Sequence, residues 1–250
     1  MPNPFATPSM AEGYARARPP LHGRIVDRVR ALLAPSGRVA AALDIGCGSG
    51  LSTRPLTSLA DRVLGIDPNP QMLSWARSVA PGARFTAARA EALPLGASTV
   101  DLITAAGSLN YTDPPAVFRE AARILTRSGA MCVYDFGQGR SALLEGWFAE
   151  LERRYPMPRS EAIPLDPEIL AGMNAGFRTI AADRFEMAVP MDAEKYANYI
   201  MTEANIAAAI RRGEVEYGIR EWLRQSLAPI FDAREQEVVF KGYVVVQTHT

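Results

Sequence analysis

The chain has 250 residues, 48% of them apolar, and its 27 basic and 27 acidic side chains cancel. That length and apolar content suit one large α/β domain with a sizeable core, and they exclude a chain disordered by composition. The charge balance gives no electrostatic footprint for nucleic acid or an anionic membrane surface.

In chain order, MPNPFATPSM lacks the apolar run of a signal peptide and reads as a loose leader, mobile to about residue 20. Leu21, Ile25, Val29 and Leu32 fall at helical spacing, and Pro35-Ser36-Gly37 stops that helix. RVAALDIG is a buried strand, a helix opens near Leu51, and DRVLGID is a second strand ending at Asp67. Residues 68–80 form a helix closed by Pro81-Gly82. ARFTAARA and STVDLITAAG are the third and fourth strands. DPPAVFREAARIL is a helix with Asp113 as N-cap and Pro114 in its first turn, and GAMCVYDFG is the fifth strand. Strand–helix repetition of this kind predicts a doubly wound, mainly parallel sheet with helices on both faces.

After Gly137 the rhythm changes. SALLEGWFAELERRY is helical, a Pro-rich bend covers 156–167, and DPEILAGMNAGF is a short helix. RTIAADRFEMAV is a strand, 191–212 and 214–228 are two helices, and EQEVVFKGYVVVQTH closes the chain as a long strand. Nothing marks a second independent domain. The whole chain reads as one domain in which 137–163 and 191–230 are insertions. No stretch approaches a membrane span. Cys47 and Cys132 lie on unrelated segments with no Cys or His at ligand spacing, which reads as reduced thiols in a cytoplasmic protein that holds no metal.

The chemistry concentrates in AALDIGCGSG, residues 41–50, where Asp44 precedes Gly46, Gly48 and Gly50. Glycine permits positive φ and close backbone approach, and a strand–turn–helix unit aims backbone N–H groups at a ligand. In an open α/β sheet this is the binding edge, at the carboxyl ends of the strands. Asp67 ends the neighbouring strand, where its carboxylate is placed to accept from both hydroxyls of a ribose. Two ligand classes fit. A nicotinamide dinucleotide expects G-x-G-x-x-G, but Leu51 stands at the third glycine position. The observed pattern is D-x-G-x-G-x-G.

LDIGCGSG, GIDPNPQML, ARAEALPL, VDLITAAGSLNYTDP and FREAARILTRSGAMCVYDFG, in this order and spacing, resemble the class I S-adenosylmethionine-dependent methyltransferases of type 11 over about residues 12–136. The resemblance implies a seven-stranded, Rossmann-like sheet whose last strand inserts antiparallel between its neighbours, with helical lid insertions. It implies S-adenosylmethionine as cofactor. Gly46, Gly48 and Gly50, preceded by Asp44, would take its methionine and ribose portion, and Asp67 its ribose hydroxyls. Ala90 and Glu91 would border the adenine, and Ala106 and Gly107 would flank the methionine end. YARARPPLHG resembles a family leader element that puts Tyr14 and Arg18 over the cofactor. Arg18, whose planar fork suits a carboxylate, is then the candidate for the cofactor's own carboxylate.

Methyl transfer asks for alignment more than for acid–base machinery. Asn110 and Tyr111 stand where relatives often carry histidine, and both are suited to hydrogen-bond an acceptor; Tyr111 reads equally as a packed ring. His22 is either a helix-start histidine or a cleft base, and Asp135 either a site acid or a cap. Aromatic and methionine residues in the insertions, with zero net charge, point to a small, moderately apolar organic acceptor rather than nucleic acid. A nicotinamide-linked oxidoreductase and a non-catalytic cofactor-binding protein on the same fold are the alternatives. A monomer or homodimer is expected.

Overall fold

The computed structural model describes residues 8–34, 37–160, 162–173 and 176–249. The first seven residues of the leader, and Pro35-Ser36 of the predicted helix stop, lie outside them. In chain order the elements are α1 (Pro8–Ala17), α2 (Leu21–Leu33), β1 (Val39–Ile45), α3 (Thr53–Leu56), β2 (Ala60–Ile66), α4 (Pro70–Val79), β3 (Arg84–Thr86), β4 (Val100–Ala106), α5 (Pro114–Ile124), β5 (Leu125–Phe136), α6 (Glu145–Arg154), α7 (Pro167–Gly172), β6 (Phe177–Met191), α8 (Ala193–Ile200), α9 (Ala204–Arg211), α10 (Glu216–Phe231) and β7 (Gln236–His249). Among the described residues seven strands form one sheet in the order β3-β2-β1-β4-β5-β7-β6. β1 to β5 are parallel, and β7 runs antiparallel to β5, between it and β6, as the resemblance implied.

The chain divides into two compact units. One, the sheet unit, comprises residues 20–136, 161–185 and 242–250; the other, the helical unit, comprises 1–19, 137–160 and 186–241. In the sheet unit, β1 and β4 are central, and their small and branched apolar residues are buried, the pattern of parallel strands covered on both faces. α5 turns Val117, Phe118, Ala121 and Ile124 inward, at the spacing of one helix face. Burying a side chain the size of Phe118 contributes about 1.5–3 kcal/mol. Asp113 caps α5 by accepting from Ala116 N at 3.4 Å, with Pro114 in the first turn as predicted. Asn69 caps α4, accepting from Gln71 N at 3.0 Å, so that helix starts two residues later than its sequence suggests.

The helical unit has an aromatic centre. Trp147 stacks on Trp222, Tyr155 meets Trp222 edge-on, and Trp147 Nε1 donates to Ser226 Oγ at 2.9 Å. Gly139 is pinned there: its N–H donates to Tyr199 Oη, and its carbonyl accepts from Tyr196 Oη. Three details differ from the sequence reading. The leader is helical over Pro8–Ala17. The third strand is only three residues long, because the chain leaves the sheet after Thr86. The single helix expected over 191–212 is two, α8 and α9, broken at 201–203, where Thr202 Oγ1 turns back to Tyr199 O at 2.6 Å and Glu203 takes an extended backbone.

Candidate active site

β1 delivers the chain into the glycine turn at the carboxyl edge of the sheet. Gly46, Gly48 and Gly50 have φ of +67°, +52° and +87°, the left-handed region that other residues enter at a cost. Space adds a second demand at Gly46. A Cβ there would overlap Ser108 Cβ and come 2.8 Å from Ser108 Oγ. Ser108 is itself held, because its hydroxyl donates to Ile45 O at 2.7 Å.

Asp67, at the end of β2, reaches the turn. One carboxylate oxygen accepts from Gly48 N at 2.9 Å and the other from Asn69 N at 2.8 Å. Burial raises its pKa, and the two amides oppose that shift. Asp44 lies fully buried at the end of β1. Its carboxylate accepts from Ser52 Oγ (2.7 Å), Thr53 Oγ1 (2.6 Å) and Thr104 Oγ1 (2.8 Å). Burial raises its pKa too; the hydroxyls work against this, and the charge of Asp67 adds to it. Asp44 therefore ties β1, β4 and the first residues after the turn into one piece. Ser49, inside the turn, has a buried hydroxyl with no hydrogen-bond partner among the described residues.

The ends of β4 and β5 form a second group. Gly107 has φ +59°, donates to Tyr134 O at 2.8 Å, and has no room for a side chain against Asp135: a Cβ would lie 2.8 Å from Oδ1. Asp135 accepts from Asn110 Nδ2 at 3.2 Å and from Phe136 N at 2.8 Å. Tyr111 is 70% exposed, which rules out the packed-ring reading. His22, at the start of α2, shares a 2.9 Å hydrogen bond with Tyr134 Oη through Nδ1 and meets Phe136 edge-on. Ala90 is buried, and Glu91 Oε1 accepts from Asp113 N at 3.2 Å.

Tyr14 and Arg18 belong to the helical unit. There the Arg18 guanidinium meets Glu203 at 2.9 Å, donates to Thr202 O at 3.1 Å and lies over the Tyr14 and Tyr199 rings. Burial acts against its charge, but Glu203 and the two tyrosines more than compensate, and its pKa is raised.

Residues 43–133 match a family model described as a methyltransferase domain, of type 11. Those residues are a class I S-adenosylmethionine-dependent methyltransferase domain. An uncharacterized methyltransferase of Mycobacterium tuberculosis is 32% identical over 144 residues, 57% of this chain and 56% of that one. A ubiquinone/menaquinone biosynthesis C-methyltransferase of Acidiphilium cryptum is 34% identical over 165 residues, 56% of this chain and 66% of that one. The chain thus spans little more than half the length of the first curated relatives it matches. A solved candidate type II methyltransferase from Anaeromyxobacter dehalogenans shares the fold, with a TM-score of 0.68 at 21% identity over 92% of this chain and 97% of that one. Geranyl diphosphate methyltransferase, solved in complex with S-adenosylmethionine, shares it with a TM-score of 0.52 at 17% identity over 91% of this chain and 85% of that one.

The cofactor of the methyltransferase domain is S-adenosylmethionine, and the turn fits such a molecule on its own geometry. The Ser49 hydroxyl has no partner among the described residues, and each Asp67 oxygen spends one acceptor site on an amide. A carboxylate oxygen accepts about two bonds, so each has room for a ribose hydroxyl. The structure brings together Asp44, Gly46, Gly48, Gly50 and Asp67 in one group, and Gly107, Asn110 and Asp135 in another. Sequence reasoning missed Ser108, Thr104, Ser52 and Thr53. The one local signal for the last two is a pair of hydroxyl residues directly after a glycine turn that begins with an acid.

Proposed function

We propose that this protein transfers a methyl group from S-adenosylmethionine to a small, moderately apolar organic acceptor in the cytoplasm. The observation that supports this most is the Asp67 carboxylate bonded to the backbone of the glycine turn, which fixes a ribose acceptor beside that turn. When bound, the cofactor supplies a methyl group on a positively charged sulfur. In this reading Asp67 holds the ribose, Ala90 and Glu91 border the adenine, and Ala106 and Gly107 flank the methionine end. Tyr14 and Arg18 act in the leader. Arg18 takes the cofactor's carboxylate only by exchanging Glu203 for it. The leader to residue 20 and the insertions 137–163 and 191–230 are proposed to close over the cofactor. The expected sign is stronger hydrogen-exchange protection of those segments when S-adenosylhomocysteine is added; equal protection in both states speaks against closure.

Calorimetry tests the reading. S-adenosylmethionine and S-adenosylhomocysteine are expected to bind, and NAD is not. Asp67→Ala is expected to weaken the cofactor by roughly 2–4 kcal/mol, since two hydroxyls lose a charged acceptor. Its fold should persist, because the residue lies at a strand end. An unchanged dissociation constant in this variant removes Asp67 from the site.

Catalysis is assigned to alignment, a source of roughly 7–11 kcal/mol, rather than to an indispensable base. Asn110, Tyr111, His22 and Asp135 then orient the acceptor. With an acceptor in hand, single-turnover rates for His22→Ala, Tyr111→Phe and Asp135→Asn are each expected to fall by no more than about a hundredfold. A larger loss, accompanied by disappearance of a limb of the pH–rate profile, identifies a true base.

A further inference from the structure

In the sheet unit a buried tyrosine on the last strand faces the end of β5. Tyr243 and Asp135 are direct partners across the antiparallel β5–β7 ladder, so their side chains share one face of the sheet. On that face lie Met131, Val133 and Val245, within an apolar cluster that also holds Leu109 and Leu165. Tyr243 is only 8% exposed, and its hydroxyl is buried without a hydrogen-bond partner among the described residues. Phenol hydroxyls in such places usually find one. Burial raises its pKa, as do the charges of Asp135 and of Asp166, the residue that caps α7 by accepting from Ile169 N. The hydroxyl therefore keeps its proton and can donate it.

Asp135 is fixed on the other side. Asn110 Nδ2 and Phe136 N both donate to it, and the backbone of Gly107 abuts it. Asn110 is held in turn, since its carbonyl accepts from Ile163 N at 2.8 Å. β5 lies two strands from β1 and β7 three, so Asp135 is about 10 Å and Tyr243 about 14 Å across the sheet from the strand that carries the glycine turn. That is molecular reach from a cofactor seated there.

We propose that Tyr243, with Asp135, is the specificity site for the methyl acceptor, and that it selects a small apolar molecule bearing one protic group, a hydroxyl or an uncharged amine. The inference rests on the methyltransferase reading above. Such a group completes the pair in both senses: it accepts from the tyrosine hydroxyl and donates to the carboxylate. A hydrocarbon satisfies neither, an ether accepts but cannot donate, and an ammonium ion cannot accept. The surrounding leucine and valine side chains take the apolar body.

The test uses phenol and aniline as probes and toluene as the apolar control. Each is titrated by ligand-observed NMR into the full chain, with and without S-adenosylhomocysteine. Phenol or aniline is expected to bind at least tenfold tighter than toluene. In Tyr243→Phe that advantage should fall below threefold, and the melting temperature should stay level or rise, because the lost hydroxyl had no partner. Whichever probe binds tighter separates a hydroxyl from an amine acceptor. Asp135→Asn, which keeps the shape of the side chain, should also reduce the advantage. The proposal is overturned by equal binding of the three probes to the wild type, by an advantage that survives in Tyr243→Phe, or by a lowered melting temperature of that variant, which would mean that the fold itself satisfies the hydroxyl. Calorimetry with S-adenosylmethionine keeps the two readings apart. Cofactor binding without Tyr243-dependent probe binding sinks this inference alone, and the reverse sinks the function alone.

Discussion

Asp44→Ala is expected to cost the protein several kcal/mol and nearly all of its cofactor affinity. Three buried hydroxyls, on Ser52, Thr53 and Thr104, lose their common acceptor. A buried donor left unsatisfied costs about 1–3 kcal/mol. The three are coupled, so the total is smaller than their sum, but it is a large part of a typical stability of about 5–15 kcal/mol. Urea denaturation monitors the fold, and calorimetry with S-adenosylmethionine monitors the turn. Asp44→Asn should lose much less, because its carbonyl still accepts and the shape is kept. That variant also isolates a pH effect. Burial raises the pKa of Asp44 in the folded chain, so the folded state holds its proton to higher pH than the unfolded state. Stability from this group is therefore present at low pH and lost as pH rises from about 4 through the raised folded value. Asp67 is shifted in the same direction and adds to the slope. The asparagine variant is expected to show a shallower decline over that window. An unchanged slope would mean that Asp44 does not titrate there.

Gly46→Ala carries the second large effect. The φ of +67° costs a residue with a Cβ about 1–2 kcal/mol. The overlap with Ser108 adds a displacement of the turn itself, since Ser108 is tied to Ile45 O. Cofactor binding is expected to fall more than a hundredfold. Partial rescue by Ser108→Gly is the sharper readout. With that side chain gone, the nearest remaining atom of residue 108 to the added methyl is its Cα, at 3.7 Å, an ordinary contact. The double variant should recover affinity up to the conformational cost alone. If Gly46→Ala binds as tightly as the wild type, the turn does not approach Ser108 in solution.

The succession of strands along the chain and the glycine turn were legible in the sequence because their causes are local. β1 announces itself by a run of small apolar residues, α5 by an Asp-Pro start and one apolar face, and Asp67 by its place after the next strand. The break between α8 and α9 was not legible. The residues 191–212 keep helical periodicity, and what divides them is a turn whose Thr202 carbonyl is taken by Arg18, far away in the chain. The same holds for Arg18 itself: the leader element suggested a cofactor contact, while its partner in the structure, Glu203, lies in a segment that the leader's sequence says nothing about. Tyr243 was read as one residue of an ordinary closing strand. Only the antiparallel register sets it opposite Asp135 and turns it into a site residue. Thr104 was hidden in the same way, since the continuous run of β4 marks it as buried but does not name Asp44 as the group it serves.

The pairing of β7 with β5 also governs how the molecule can be made. Residues 242–248 of β7 lie beside residues 130–136 of β5, more than a hundred positions earlier. During synthesis β1 to β5 can assemble in turn, but one edge of β5 stays open until β7 emerges. That edge is Met131-Cys132-Val133-Tyr134, buried in the finished protein and a template for strand pairing while uncovered. Nascent chains and chains cleaved before β7 are therefore the species most exposed to aggregation, and closure of this edge, a contact of high sequence separation, is the natural slow step of folding.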